Sequence, residues 1–177
     1  MKPQSRQYLE RAFLAESFFD SIDWLGAQKI HLCWSSTLLF YSAIHYFNAY
    51  ICETKGVSFI PQKHNEYYDK RVKKSIEGRT EMARRLLKVN LPTGGIHEAG
   101  TAYENLYKMS QNTRYEIGGQ FFTEQEFNQV YENFKKVKYV CLYDLGCDVE
   151  SETSSDSGLV RIVLKNRKDI ERIILGL

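Results

Sequence analysis

Apolar residues recur at helical spacing along most of the chain. A first helix is predicted over residues 5–24, where apolar side chains between positions 12 and 22 share one face. A second is predicted over residues 28–54, and it has no acidic or basic side chain between Ile30 and Ile51. That uncharged run is long enough to cross a bilayer, but it includes seven Ser, Thr, His and Asn residues. The pattern therefore favours a helix buried at the centre of a bundle.

Three further helices are predicted after a loop that contains Pro61, over residues 65–88, 96–115 and 123–145. Thr123-Glu-Gln-Glu126 has the spacing of a capping box, which predicts Thr123 as the N-cap of the last helix. The apolar face of that helix consists of Phe127, Val130, Tyr131, Phe134, Val137 and Val140 or Cys141. Together the segments predict an all-α fold, an antiparallel bundle of helices.

Composition changes after residue 145. Residues 146–158 contain four acidic side chains and five Ser or Thr residues but no basic side chain, which predicts a mobile acidic linker. Residues 159–177 are again rich in apolar side chains. We therefore expect a helical domain over residues 1–145, a linker over 146–158 and a C-terminal appendage over 159–177.

The cysteines and the N-terminus indicate a cellular compartment. Cys33, Cys52, Cys141 and Cys147 form no CxxC pair, so we predict free thiols, mostly packing residues, in a reducing cytosol. Residues 1–7 lack the apolar core of a signal peptide. These features predict a cytoplasmic protein that does not insert into a membrane.

Charge is concentrated in the third predicted helix. Nine basic and four acidic residues lie between Lys63 and Lys88, a local charge of +5 in a chain of net charge +2. Such a segment can contact phosphates, with Tyr67 and Tyr68 placed to stack on bases. The same charges also suit a solvated helix face that complements the acidic linker.

The fourth predicted helix ends in an arginine. Tyr103, Leu106 or Tyr107, Ser110 and Arg114 share one face at helical spacing. That face ends just before Gly118-Gly119, which is predicted to break the helix. An arginine on a packing face needs a partner for its cationic head, and an anionic ligand is one candidate. The alternative is an arginine that caps the last carbonyls of its own helix.

Sequence motifs for catalysis are few. The four histidines, at positions 31, 45, 64 and 97, have no metal-ligand spacing, and the chain contains neither a P-loop nor a nucleophile elbow. His45 lies inside the second predicted helix, where we expect a core histidine bonded to a Ser, a Tyr or a backbone carbonyl. We therefore assign no catalytic residue, no metal site and no cofactor from the sequence.

Three segments, in this order, resemble the HEPN superfamily of prokaryotic helical bundles. They are the run Tyr-Ser-Ala-Ile-His-Tyr-Phe-Asn-Ala-Tyr over residues 41–50, His64 with Arg71, and the pattern Tyr103-x-x-Leu-x-x-x-Ser-x-x-x-Arg-Tyr115. The resemblance covers residues 5–145. It implies an up-and-down bundle of about five helices that is often dimeric and binds RNA or nucleotides. Some relatives also work with a nucleotidyltransferase partner protein.

The resemblance also bears on catalysis. Active members cleave RNA without a metal, using an arginine and a histidine that follows it by four to six residues. Arg114 matches the arginine, but no histidine follows it anywhere in the chain. The group expected for acid–base chemistry is therefore missing, which argues against RNase activity.

Three functional hypotheses follow from the sequence. The first is a non-catalytic HEPN-like module that binds RNA, a nucleotide or a partner protein. The second is a divergent metal-independent RNase of a toxin–antitoxin or defence type, in which the fold brings His64 or His97 to Arg114. The third is a structural dimerisation subunit, since a homodimer is expected. The first hypothesis predicts a phosphate site made of Arg114, Tyr115, Ser110, Lys70, Arg71, Lys73 and Lys74.

Overall fold

The computed structural model describes residues 1–20, 29–90, 96–115 and 123–145. The helices in these ranges are α1 (Pro3–Asp20), α2 (Lys29–Thr54), α3 (Arg79–Leu86), α4 (Gly100–Tyr115) and α5 (Glu124–Asp144). The strands are β1 (Tyr67–Asp69), β2 (Lys74–Ile76), β3 (Lys88–Asn90) and β4 (Ile96–Glu98), which form two small antiparallel hairpins. The predicted mainly α fold, a helical bundle, is confirmed.

Helix α2 is the central element, because it packs against α1, α4 and α5. From Ser42 to Cys52 its side chains are buried, with the exception of the half-buried His45. This placement confirms the predicted buried central helix over residues 42–52, whereas Trp34 and Tyr41, which precede it in the uncharged run, are exposed. None of the helices described here is both long and apolar enough to span a membrane.

Helix α5 begins where the sequence predicts. The Thr123 hydroxyl accepts the Glu126 backbone N–H at 3.2 Å, and the Glu126 carboxylate accepts the Thr123 backbone N–H at 2.8 Å. Both halves of the capping box are therefore present. The predicted apolar face is buried at Phe127, Val130, Phe134, Val137, Val140 and Cys141, and Tyr131 is half-buried.

The helix predicted over residues 65–88 is wrong. Its first half is the β1–β2 hairpin, in which Asp69 lies opposite Lys74, and only α3 is helical. A helix would place the lysines and arginine of residues 70–74 at repelling spacings, whereas the hairpin pairs opposite charges across its strands. The Asp69 carboxylate also accepts the Arg71 backbone N–H at 2.8 Å, a local bond that favours a turn.

The start of the fourth helix also differs from the prediction over residues 96–115. Residues Ile96–Glu98 pair with β3, and α4 begins at Gly100. A Cβ atom at Gly100 would lie 2.4 Å from the Arg84 Cα, so only glycine permits this approach of α3 to α4. The contact joins segments distant in sequence, which is why helical spacing alone does not reveal it.

Some sequence predictions fall outside the described residues. These are the last turn predicted for the first helix, the break at Gly118-Gly119, the acidic linker over 146–158 and the appendage over 159–177. The prediction of free packing thiols is confirmed at Cys52 and Cys141, which are both buried. Burial raises the pKa of the Cys141 thiol, as expected for a packing residue.

Candidate functional site

Arg114 is a half-buried residue in the last turn of α4, and its guanidinium contacts Tyr41 of α2. Its Nε–H donates to the Ser110 carbonyl at 3.0 Å, and its Nη1 donates to the Tyr41 hydroxyl at 3.1 Å. The guanidinium carbon also lies 5.6 Å from the centre of the Tyr41 ring. Arg114 therefore caps a carbonyl of its own helix, and it also joins α4 to α2.

His64 reaches the same pair of helices from the loop that follows Pro61. Its ring stacks on Tyr107 of α4, with centroids 4.6 Å apart, and lies 5.4 Å from the ring of Phe40 in α2. The charge of Arg114 acts on this imidazole, although the two residues are fifty positions apart. His64 and Arg114 therefore both lie at the contact between α2 and α4, close enough for the charge of one to act on the other.

Arg79, the first residue of α3, holds the His64 loop in place. Its Nη2 donates to the Pro61 carbonyl at 2.6 Å, and its Nη1 lies 3.4 Å from His64 Nδ1. The backbone N–H groups of Arg79 and Thr80 donate to the carbonyls of Lys63 and His64 at 2.9 and 2.8 Å. The beginning of α3 and the His64 loop are therefore one hydrogen-bonded unit.

A close backbone contact reinforces that unit. A Cβ atom at Gly78 would lie 2.2 Å from the Asn65 carbonyl carbon and 2.5 Å from the His64 carbonyl oxygen. No side chain fits there unless the loop moves. Because Gly78 has no side chain, the loop that carries His64 can pack directly on the beginning of α3.

The electrostatic environment of His64 is cationic. Burial, then the charge of Arg79, then that of Arg114 lower the pKa of His64 to about 4. The imidazole is neutral at pH 7, and the two charges that act on it within the described structure are both guanidinium cations. Arg79 also contributes, after burial and Arg11, to a lowered pKa of His45. An anion placed beside these groups would gain favourable energy from both arginines.

Of the other site residues predicted on α4, Ser110 is buried and its carbonyl is the acceptor for Arg114. The Ser110 hydroxyl has no hydrogen-bond partner among the residues that the structure describes. Tyr115 is the last residue of α4, and its side chain lies outside what is described. Ser110 therefore contributes to the site through its backbone.

The four basic residues predicted to assist Arg114 lie on a different element. Lys70, Arg71, Lys73 and Lys74 are exposed on the β1–β2 hairpin, and Lys73 has a positive φ of 51°. The Arg71 side chain is 89% exposed, with its Nε 3.7 Å from the Asp69 carboxylate. No contact between described residues joins any of the four to Arg114. They form a separate patch, which we call the basic hairpin.

Other basic residues of the positively charged segment are already paired. Arg84 donates to Glu104 at 2.9 Å, and Arg85 donates to Glu77 at 2.6 Å, both at the surface. These pairs reduce the charge available on α3 itself. Much of the remaining positive charge of the segment therefore lies on the basic hairpin, at Lys63 and at Arg79.

No sequence pattern distinguishes Arg79 or Tyr41 as a site residue. Arg79 is one of nine basic residues in its segment, and Tyr41 is the first residue of the 41–50 segment. One local signal was present, because Gly78 directly precedes the amphipathic run that becomes α3. The partners of Arg79 lie on the Pro61 loop, so no spacing pattern within α3 identifies them.

The remaining histidines do not join the site by any described contact of their rings. The His45 ring stacks on Tyr8 at 6.2 Å, but its buried Nδ1 has no hydrogen-bond partner in the described ranges. The bond expected for a core histidine is therefore not observed at Nδ1. The side chains of His31 and His97 lie outside what is described. Within the residues that are placed, no cluster of His, Cys, Asp or Glu is suited to a metal ion.

Comparisons of the chain with protein-family models, with curated proteins and with solved structures find no match.

Proposed function

We propose that this chain is a non-catalytic HEPN-like module that binds a phosphate-bearing ligand, RNA or a nucleotide, beside Arg114 and His64. One observation carries the proposal: Arg79 contacts the half-buried His64, and the charge of Arg114 also acts on this imidazole, so two guanidinium cations influence one neutral histidine. A bound anion would stabilise two such cations, and phosphate oxygens match the hydrogen-bond geometry of a guanidinium group.

The geometry of Arg114 supports this proposal. Its guanidinium is held by the Ser110 carbonyl and the Tyr41 hydroxyl before any ligand arrives. A fixed guanidinium loses less conformational entropy on binding than a free one. The basic hairpin would add positive field around the site, which matters more for a polynucleotide than for a single nucleotide.

Binding assays with Arg114→Ala test the proposal. We expect the parent to bind single-stranded RNA or AMP, and the variant to lose about 1–3 kcal/mol of binding free energy, the range for a charge-assisted hydrogen bond. Arg84→Ala is the matched control, because it removes an arginine whose described partner is a surface carboxylate, that of Glu104. Equal losses in both variants, or unchanged binding by Arg114→Ala, would refute the site.

A divergent RNase is the second candidate, and the proximity of His64 to Arg114 favours it. We nevertheless expect no metal-independent cleavage, since no histidine follows Arg114 in the chain. Incubation of RNA with the purified protein in EDTA decides between the two. Cleavage that disappears in both Arg114→Ala and His64→Phe would replace the binding proposal with the nuclease.

We also propose that the protein forms a homodimer in the cytoplasm, on the basis of the resemblance and the abundance of Tyr and Phe. Exposed Phe18 and Trp34 would be buried in such an interface. Light scattering at micromolar concentration measures the mass. RNA or nucleotide binding that weakens with salt separates a ligand-binding module from a purely structural dimerisation subunit. The resemblance also suggests a nucleotidyltransferase as a partner protein.

A further inference from the structure

The contact between Arg79 and His64 determines which nitrogen of the imidazole carries the proton. A guanidinium has N–H donors and no acceptor, so the group that it contacts must accept. Arg79 Nη1 lies 3.4 Å from His64 Nδ1, which makes Nδ1 the acceptor. A neutral imidazole has one N–H, and with Nδ1 unprotonated that N–H is on Nε2.

The groups that face His64 keep the ring neutral as well as oriented. Arg79 approaches from α3, Arg114 and Tyr107 from α4, and Phe40 from α2. Two are cations, and the other two are aromatic rings that contact the imidazole. Burial first, and then the charges of Arg79 and Arg114, lower the pKa of His64 to about 4, because a protonated ring would lose hydration and add a third cation to the group.

From this geometry we infer that His64 is a neutral hydrogen-bond donor, fixed by Arg79 in the Nε2–H tautomer, that donates to an anionic oxygen of the ligand beside Arg114. Arg79 is then a positioning residue, and His64 is a ligand-binding residue. The ligand part of this inference rests on the function proposed above, whereas the tautomer does not. The chemistry that such a site recognises is an oxygen that only accepts, as in a phosphodiester.

The tautomer has a chemical consequence for the nuclease hypothesis. A general base needs a free lone pair within reach of the proton that it removes. In His64 the Nδ1 lone pair faces Arg79, and Nε2 already carries a proton. His64 in this state binds an anion but does not activate a nucleophile, which favours binding over cleavage.

Long-range ¹H–¹⁵N correlation spectra of the ligand-free protein test the tautomer directly. His64→Gln identifies the signals of His64 by their loss. We expect an unprotonated Nδ1 at pH 7 and a titration midpoint well below 6.5, and we expect Arg79→Lys to retain both because it keeps a cationic donor. Arg79→Met should mix the tautomers and raise the midpoint. A protonated Nδ1, or a parent that titrates near 6.5, would overturn the inference.

Two amide variants of His64 test the donor role. A glutamine side chain places its N–H near the position of Nε2, whereas an asparagine places it near Nδ1. We expect His64→Gln to keep most of the affinity for a short oligouridylate, and His64→Asn to lose about tenfold, the worth of one hydrogen bond. The phosphodiester charge is constant between pH 5 and 8, so parent affinity should be flat over that range.

Equal affinity of the two amide variants would show that Nε2 does not contact the ligand and would overturn the donor role. A different result would refute the proposed function: a parent protein that binds neither oligouridylate nor AMP. Melting temperatures of Arg79→Met and of both His64 variants, measured alongside, show whether each variant is folded. Arg79→Lys keeps the tautomer test decisive even where Arg79→Met unfolds.

Discussion

Two groups of charged side chains lie inside this bundle, and they differ in how their charge is balanced. In the first, Lys138 of α5 donates to one carboxylate oxygen of Glu16 in α1, and the Tyr46 hydroxyl of α2 donates to the other at 2.6 Å. Glu16, Tyr46 and Lys138 are all buried, and the Lys138 ammonium lies 5.7 Å from the centre of the Tyr46 ring. This triad carries no net charge, and both carboxylate oxygens have partners.

The second group is the cluster of His64, Arg79 and Arg114. It is half-buried, and the two charges that act on its histidine are both positive. The triad is neutral without help from outside, so its role is to join α1, α2 and α5. In the His64 cluster both charges that act on the histidine are positive, so an anion bound there would be attracted by both arginines. The two groups therefore differ in the sign balance of their charges: the triad contains one cation and one anion, whereas the charges that act on His64 are both cationic. We use this difference to distinguish a structural group from a candidate binding site.

The largest expected effect is on the triad. Lys138→Met leaves the Glu16 carboxylate buried without its cation and should lower the free energy of unfolding by about 3–5 kcal/mol. Urea denaturation measures the change. The double variant Glu16→Gln with Lys138→Met removes both charges and should recover much of the loss. A loss below about 1 kcal/mol in Lys138→Met would mean that the triad is not a buried ion pair.

The next effect concerns the backbone contact beneath His64. Gly78→Ala places a methyl group 2.2 Å from the Asn65 backbone, so the loop must move. We expect a loss of about 1–3 kcal/mol, as for an overpacked core, together with altered NMR shifts of the His64 ring. Ser75→Ala, at an exposed position on the neighbouring β1–β2 hairpin, is the control. Unchanged stability in Gly78→Ala would contradict the close packing of the loop on α3.

A smaller effect should appear as a pH dependence of stability. The folded pKa of His64, about 4, lies below the unfolded value of about 6.5, so the unfolded chain binds more protons between these values. The stability that neutral His64 contributes is complete above pH 6.5 and is lost as pH falls toward 4. We expect a loss on the order of 1–2 kcal/mol after allowing for the partial exposure of the ring.

Denaturation curves of the parent and of His64→Gln between pH 7 and 4 measure this loss. The variant should lose less stability than the parent, although His45, whose pKa is also lowered, contributes in both. Identical pH profiles would show that the cationic surroundings do not act on His64 in the folded state, which would remove the contrast with the triad.

The smallest effect on stability is expected at the basic hairpin. Lys70→Gln and Lys74→Gln change exposed side chains, so stability should stay within about 0.5 kcal/mol of the parent. RNA affinity should fall modestly. The slope of the logarithm of the binding constant against the logarithm of salt concentration should become less steep by about one unit for each phosphate contact removed. Lys108→Gln is the control, because Lys108 pairs with Glu104 on α4. Equal salt slopes in all three variants would exclude the hairpin from the binding surface.

Much of the fold follows from local sequence patterns. The uncharged run of α2 predicts a central helix, and the Thr123 capping box predicts the start of α5, because periodicity and capping act over a few neighbouring residues. The same reasoning fails for residues 65–88. Cross-strand pairing of Asp69 with Lys74 and the contact of Gly78 with Asn65 decide that segment, and both join residues separated by several positions or more.

The candidate site divides in the same way. The sequence alone determined that Arg114 ends a helix face and needs a partner, since helical spacing and the chemistry of a guanidinium are local properties. Only the tertiary structure placed His64 against Tyr107, and only it brought Arg79 to His64 Nδ1. These contacts join a loop, α3 and α4, which are distant from one another in the sequence. Packing of this kind produces no periodic pattern within a single segment, so the sequence alone does not reveal it.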